Sequence, residues 1–342
     1  AVRLAFSPSG SMLVEAAAST PLFKDGAYGG LRVLDSSTGT VRAKLPEGIP
    51  IRAEFDPSGK CVIALIEFSE KLDGLIFWDF QRPERSIHVK RGLISTNNFD
   101  VSQCGRLVVL ANADWSNDRA IQVWERRTGS KVCQVGQGKP LQGLRFSPEG
   151  RRVLTDDHEG ELLLWDITGR LQDRTGALRP TNLDAIALEN CWGQLASKDA
   201  SVAYNAAWLM ASDPTRASRF LAKRLSPVDP TNAVLVAKLL EELDSEDYRT
   251  RQNADQALRA LGKGILSHTG PVLPRLSLEA RRRLERIERA LDDDPRMLRN
   301  DRALFALEQM GEPGRALLYR IAEGVPEAEI TQLARAALNR RK

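Results

Sequence analysis

A short pattern recurs four times in the first half of the chain, and no other feature restricts its fold as strongly. Phenylalanine and a polar turn ending in glycine occupy residues 6–10, 55–59 and 146–150, and a looser copy runs from Phe99 to Gly105. In each copy a strand ends where proline or serine and a positive-φ glycine begin a turn. The spacing of roughly 41 to 49 residues predicts one repeated supersecondary unit per copy.

A second apolar segment follows each turn. Three copies end in tryptophan and an acidic residue, at Trp78, Trp124 and Trp165, and the first copy ends in Leu34 and Asp35. Shorter strand patterns before and after complete four strands per unit, with residues 167–171 offering the last one. A single sheet cannot bury both faces, so the sheets must stack. We expect each tryptophan on the third strand of its sheet, packed between neighbouring sheets.

These turns and tryptophan-acid pairs resemble the WD-repeat family of β-propellers, over about 170 residues. The sequence departs from the family pattern at Leu34, which replaces tryptophan, and at Glu125, which replaces aspartate. The Gly-His dipeptide that usually precedes a repeat is absent from all four units. The resemblance therefore implies propeller blades over residues 1–174, with an incomplete hydrogen-bond tetrad.

Four units are fewer than the seven or eight blades typical of this family, and no spare strand is present to close a ring. We expect a partial propeller whose upstream blades lie outside this sequence; the alternative is an intact four-bladed ring or open arc. The outer face of the first blade, around Leu4, Leu13 and Val33, is then exposed or covered by something other than a fifth blade. Such a chain is expected to self-associate or to be poorly soluble, and the helical tail is the expected cover beside the fourth blade.

The pattern changes in the second half of the chain. Residues 175–181 form a polar linker, and from residue 182 to 342 apolar residues recur every three or four positions, which predicts an all-α domain. The fold class is therefore multidomain, β followed by α. The expected N-caps are Ser197, Asp213 before Pro214, Asp229 before Pro230, and Asp244 or Ser245.

Two helical segments resemble HEAT repeats, in which alanine lies on the packing face, leucine in the core and glycine at the helix end. The first runs from Asp247 to Gly262 and the second from Arg302 to Gly311. Helices after a last WD repeat are similar to the arrangement in large, mostly uncharacterised bacterial WD-repeat proteins. The residues expected to be buried between antiparallel helices are Ala254, Leu258, Leu261, Ala306 and Leu307.

Bulk properties exclude several classes of function. The net charge of +4 lacks the strong basic patch of a nucleic-acid-binding domain, so no nucleic acid is expected as a partner. No run of 18 apolar residues predicts a membrane span. The four cysteines are too widely spaced for a metal or redox motif. The compartment stays open, with the cytoplasm favoured, since the sequence begins at Ala1 without methionine and a signal peptide can lie upstream.

Catalytic chemistry has little support in the sequence. His88, His158 and His268 belong to no known catalytic pattern. The acidic run at 156–159 is interpreted as a solvated turn, and residues 261–264 lack the spacing of a phosphate-binding loop. We therefore expect no catalytic residues, no metal and no cofactor.

Binding of a protein partner is the favoured function, because propeller turns and helical grooves present rigid surfaces. The alternative is a regulatory or sensing module of a longer enzyme or signalling protein whose catalytic part lies upstream. A stand-alone propeller enzyme ranks third. Two aromatic loops, at 20–30 and 113–119, are candidate contact sites, unless they fold back onto their blades. The candidate contact residues are Phe23, Lys24, Tyr28 and Trp115.

Overall fold

The structure is a computed structural model that divides into two compact units. One unit comprises Ala1–Arg179 with Lys198–Ser201, and the other comprises Pro180–Ser197 with Val202–Lys342. The residues that it describes are 2–17, 30–45, 48–67, 74–90, 99–111, 120–136, 141–157, 159–172, 175–227, 233–261, 265, 269, 272, 275–292, 295–326 and 328–340.

The first unit contains four antiparallel sheets, each built from strands that are consecutive in the chain. Sheet 1 contains β1 (Val2–Phe6), β2 (Met12–Ala17), β3 (Gly30–Asp35) and β4 (Val41–Leu45). Sheet 2 contains β5 (Ile49–Phe55), β6 (Val62–Glu67), β7 (Gly74–Trp78) and β8 (Ile87–Lys90). Sheet 3 contains β9 (Phe99–Val101), β10 (Leu107–Ala111), β11 (Ile121–Glu125) and β12 (Ser130–Val135). Sheet 4 contains β13 (Leu141–Phe146), β14 (Arg152–Asp157) and β15 (Leu162–Asp166).

Sheet 4 lacks the last strand that was expected at residues 167–171. Among the described residues, Leu171 forms only an isolated bridge with Leu178. The carboxylate of Asp166 accepts the amide proton of Leu171 at 3.1 Å, so this amide serves a turn instead of a strand ladder.

The turn between the first and second strands has the same geometry in all four sheets, as the repeat predicts. The side chain that follows the first strand accepts a hydrogen bond from the amide five residues later, at a distance of 3.0 Å. A glycine three residues after that side chain has φ of 70–72°, a region that other residues avoid. The pairs are Ser7 with Met12, Asp56 with Cys61, Ser102 with Leu107, and Ser147 with Arg152.

The third copy of the repeat is displaced from its predicted alignment. Val101, not Phe99, occupies the strand end, because Val101 is paired with Val108 as Phe55 is paired with Val62. Phe99 lies two residues earlier and therefore on the same face of its strand, where it is fully buried. The position of Phe99 therefore indicates which face of the strand is buried, but it does not indicate where the turn begins.

Trp78, Trp124 and Trp165 lie on the third strands of sheets 2, 3 and 4, which confirms their predicted position. The acidic residue after each of them starts a turn. The carboxylate of Asp79 accepts the amide protons of Gln81 and Arg82 at 3.1 and 2.9 Å. Equivalent bonds are accepted by Asp35 from Ser37 and Thr38, and by Asp166 from Thr168 and Gly169; Glu125 accepts from the Thr128 hydroxyl.

The second half of the chain is mostly helical in its described part, as the apolar spacing predicts. Ala254, Leu258, Ala306 and Leu307 are fully buried, whereas Leu261 at the end of its helix is partly exposed. The helices are α1 (Ala185–Gln194), α2 (Ala200–Ala211), α3 (Pro214–Ala222), α4 (Ala233–Glu242), α5 (Tyr248–Leu261), α6 (Leu278–Asp292), α7 (Pro295–Gln309), α8 (Glu312–Ala322) and α9 (Glu329–Asn339).

Helix starts were predicted with mixed success. Asp213 caps α3 as expected, with Pro214 in the first helical position. Ser197 does not cap α2; the carboxylate of Asp199 accepts the amide proton of Ser201 at 2.8 Å instead. Asp229 lies outside the described residues.

The cap of α5 also differs from the prediction of Asp244 or Ser245. Asp247 accepts the amide proton of Thr250 at 2.8 Å. Asp244 accepts the amide proton of Ser277 at 2.8 Å, immediately before α6. An acidic residue near a helix start can stabilise a different helix, and the local sequence does not separate the two roles.

Candidate interaction surfaces

Sheet 2 is covered on both faces by neighbouring sheets. Alternate residues of a strand point to opposite faces, and in β6 both sets are apolar. Val62 and Ala64 belong to the cluster shared with sheet 1, whereas Ile63 and Leu65 belong to the cluster shared with sheet 3. All four are at most 2% exposed. The neighbouring sheets therefore bury both faces of β6.

Among the described residues, sheet 4 packs against a neighbouring sheet on one of its faces. On the covered face Val153 is fully buried, and the indole Nε1 of Trp165 donates to Thr155 Oγ1 at 2.9 Å. The Trp165 ring packs so closely on sheet 3 that a Cβ atom added to Gly136 would lie 3.0 Å from it. This tryptophan therefore faces the preceding sheet, as Trp78 does in sheet 2.

The opposite face of sheet 4 exposes a row of leucines. Leu154, Leu162 and Leu164 are 41%, 66% and 54% exposed. Register places them at the positions of Ile63, Leu75 and Phe77 in sheet 2, which are at most 2% exposed. We call Leu154, Leu162 and Leu164 the leucine face.

Sheet 1 also has an exposed face, the one that points away from sheet 2. Leu4 and Phe6 on β1 are 61% and 68% exposed, as expected around Leu4, and Leu13 is partly exposed. The expectation for Val33 was wrong, because Val33 is fully buried against sheet 2. Leu13 is paired with Leu34, so Val33 is one residue out of phase with that face.

The leucine face was missed by the sequence reading, although a signal was present. Three consecutive leucines precede Trp165, as an apolar run precedes Trp78 in sheet 2. A continuous apolar run indicates a strand covered on both faces, so it marks an uncovered face when no further sheet follows.

The predicted contact residues Phe23, Lys24, Tyr28 and Trp115 lie outside the described residues, as do His158 and His268.

Burial shifts the pKa of three side chains in the sheets. Burial raises the pKa of the thiols of Cys61 and Cys133 to about 12, so both stay protonated near neutral pH. Burial also raises the pKa of Asp100, whose carboxylate accepts the amide proton of Phe146 at 2.7 Å across sheets 3 and 4.

Within the described ranges, no three His, Cys, Asp or Glu side chains are grouped as a metal site. No described helix is long and apolar enough to span a bilayer.

Comparison with known proteins gives one partial likeness in sequence. The chain is 30% identical over 86 residues to the WD repeat, SAM and U-box domain-containing protein 1 of Danio rerio. The match covers 25% of this chain and spans only 17% of that relative's length. No family model matches the chain.

Among solved structures, a hydrazine synthase chain from Kuenenia stuttgartiensis is similar over 48% of this chain and 46% of its own length. Its sequence identity is 17% and its TM-score is 0.36, a level from which no shared fold is inferred. The partial likeness to a WD-repeat protein agrees with four antiparallel sheets followed by helices.

Proposed function

We propose that this chain is a protein-binding scaffold, built from WD-type blades of a partial propeller and a HEAT-like helical domain, with no catalysis of its own. The observation that carries the proposal is the leucine face. Equivalent positions on sheet 2 are covered by another sheet, so the leucine face is chemically suited to the same kind of cover.

The energetics favour association at this face. Covering a leucine side chain fully stabilises a complex by about 1.5–3 kcal/mol before the costs of association. Leu154, Leu162 and Leu164, on neighbouring strands, are 41%, 66% and 54% exposed, so covering each of them supplies about half of that value. Large exposed apolar patches on folded proteins mark interaction surfaces. A flat, apolar β-face on a protein partner is the complementary shape, since internal sheets are covered in that way.

Two further observations support the proposal. The likeness to part of a WD-repeat protein agrees with a binding module, because repeats of this kind present rigid surfaces. The raised pKa values of Cys61 and Cys133 leave these thiols without the thiolate that a cysteine nucleophile needs.

Site-specific photo-crosslinking in cells of the source organism tests the proposal. A photoreactive residue at Leu164 is expected to form covalent adducts with protein, identified by mass spectrometry. The control is the same residue at Lys60, which is exposed on a turn of sheet 2. Equal adduct yields at Leu164 and Lys60, or no adduct at Leu164, would contradict a docking role for the leucine face.

A further inference from the structure

Three helices of the second unit bring two aromatic rings and two arginines together. The rings of Trp192 on α1 and Phe220 on α3 lie 6.5 Å apart at 73°, an edge-to-face arrangement. The guanidinium of Arg224 lies 3.6 Å from the Phe220 centroid, and that of Arg299 on α7 lies 4.9 Å from the Trp192 centroid. We call these four side chains the aromatic–arginine surface.

The two arginines differ in their partners. Arg224 forms an ion pair with Glu189, one turn before Trp192 on α1. Arg299 has no hydrogen bond or ion pair with any described residue, and its Nε atom is buried without an acceptor. A buried donor without an acceptor costs free energy. A ligand cannot reach the buried Nε atom, so the terminal N–H groups of Arg299 are the donors on this surface that remain available to an acidic ligand.

Stacking on an aromatic ring leaves an arginine well placed for such a ligand. The ring covers one face of the planar guanidinium, while its N–H groups point outward in the plane. A carboxylate matches this fork with two parallel hydrogen bonds. Trp192 thus fixes the orientation of Arg299 without occupying its donors.

The surroundings add apolar surface and positive charge. Ile186 is 72% exposed on α1 and lies beside Glu189, three residues later, but it points about 120° around the helix from Trp192. Helix α3 contains Arg216 and Arg219 and no acidic residue. The expected ligand therefore carries both carboxylates and apolar side chains.

We infer that the aromatic–arginine surface binds an acidic peptide segment of a protein partner, with a carboxylate on Arg299 and an apolar side chain against Trp192. This inference rests on the proposed scaffold function and assigns it a second surface. Nucleic acid is less suited to the surface, because phosphate backbones are bound by several unpaired cations, and Glu189 already occupies Arg224.

Fluorescence anisotropy with the full chain tests the inference. The probe is a fluorescein-labelled peptide of Glu, Asp, Leu and Phe, compared with the same peptide in which Gln and Asn replace the acids. We expect Arg299→Gln to weaken binding of the acidic peptide by about tenfold or more, the order for one charge-assisted pair. Arg299→Lys, which keeps the charge but loses the fork, is expected to fall between Arg299→Gln and the unaltered chain.

Arg249→Gln is the matched control, since Arg249 is exposed on α5, is not part of this surface, and its replacement removes the same charge. It is expected to change the affinity by less than about twofold. Equal weakening by Arg249→Gln and Arg299→Gln, tighter binding of a single-stranded oligonucleotide, or equal binding of the uncharged peptide would overturn the inference. So would an absence of peptide binding; the leucine face would be unaffected by that result, because crosslinking at Leu164 tests it separately.

Discussion

Sheets 2 and 4 follow the same local rules and differ in what covers them. Both have the same side-chain-capped turn between their first two strands, and both place tryptophan and aspartate at the end of the third strand. Leu75 and Leu162 each lie three residues before that tryptophan, yet one is fully buried and the other is 66% exposed. The sequence of a repeat determines which face is apolar, whereas the neighbouring sheet determines whether that face is buried.

The largest expected effect is a difference between Leu75→Ala and Leu162→Ala. Removing the Leu75 side chain leaves a cavity between sheets 2 and 3 and is expected to cost about 2–5 kcal/mol of unfolding free energy. Leu162→Ala removes the same atoms from an exposed face and is expected to change it by less than about 0.5 kcal/mol. Urea denaturation of the two variants measures both values. Similar losses would mean that the leucine face is covered within the chain.

A second pair of variants examines the covered face of sheet 4. Gly136 and Gly150 both have φ of 70°, so alanine at either position costs about 1–2 kcal/mol in backbone strain. A Cβ at Gly136 would also press on Trp165, whereas at Gly150 nothing lies within 4 Å. Gly136→Ala is therefore expected to lower the thermal unfolding midpoint further than Gly150→Ala. Equal shifts would contradict tight packing of Trp165 on sheet 3.

The stability that the turns contribute is expected to be the same whether or not both faces of the sheet are covered. Ser102 in sheet 3 and Ser147 in sheet 4 accept the same amide hydrogen bond at 3.0 Å. Replacing either serine by alanine is expected to cost about 1 kcal/mol, the usual net value of such a bond. Chemical denaturation of both variants gives the comparison. A much smaller cost for Ser147→Ala would show that the two sheets differ in more than cover.

The smallest expected effect is a pH dependence at the junction of sheets 3 and 4. Because burial raises the pKa of Asp100 in the folded state, stability falls as pH rises from the unfolded value of about 3.9 through the folded value. Asp100→Asn is expected to remove this fall. At Asp35, which is partly exposed, the hydrogen bond from Arg42 lowers the pKa, so the contribution of Asp35 to stability is lost as pH falls. Denaturation of the variants Asp100→Asn and Asp35→Asn across this pH range shows how each carboxyl changes the pH dependence of the unfolding free energy. The two changes are expected to have opposite signs, and equal signs would contradict the burial of Asp100.

The repeat could be predicted from sequence because each turn is a local structure. Proline, glycine and a capping side chain within five residues determine it, and the third copy was displaced only because Phe99 and Val101 share a strand face. The assignment of Val33 to the exposed face failed for a different reason. The face of the sheet on which Val33 lies depends on the register between β2 and β3, and a shift of one residue moves a side chain to the opposite face.

The interaction surfaces were harder to predict, since they depend on contacts between distant segments. Leu162 and Leu164 have the same sequence pattern as buried residues of sheet 2, so only the stacking order distinguishes them. Trp192, Phe220 and Arg299 come from three helices and share no local motif. The predicted spacing of helices did not determine which side chains would meet.

The central claim is that the leucine face is uncovered in the isolated chain and covered by protein where the chain functions. Carbene footprinting read by mass spectrometry measures this for Leu162 and Leu164, with Leu75 as the buried reference. We expect strong labelling of Leu162 and Leu164 in the purified chain, a large decrease for both in intact cells, and weak labelling of Leu75 in both settings. Undiminished labelling of the two leucines in cells would contradict a docking role, and labelling as weak as that of Leu75 in the purified chain would contradict the exposed face itself.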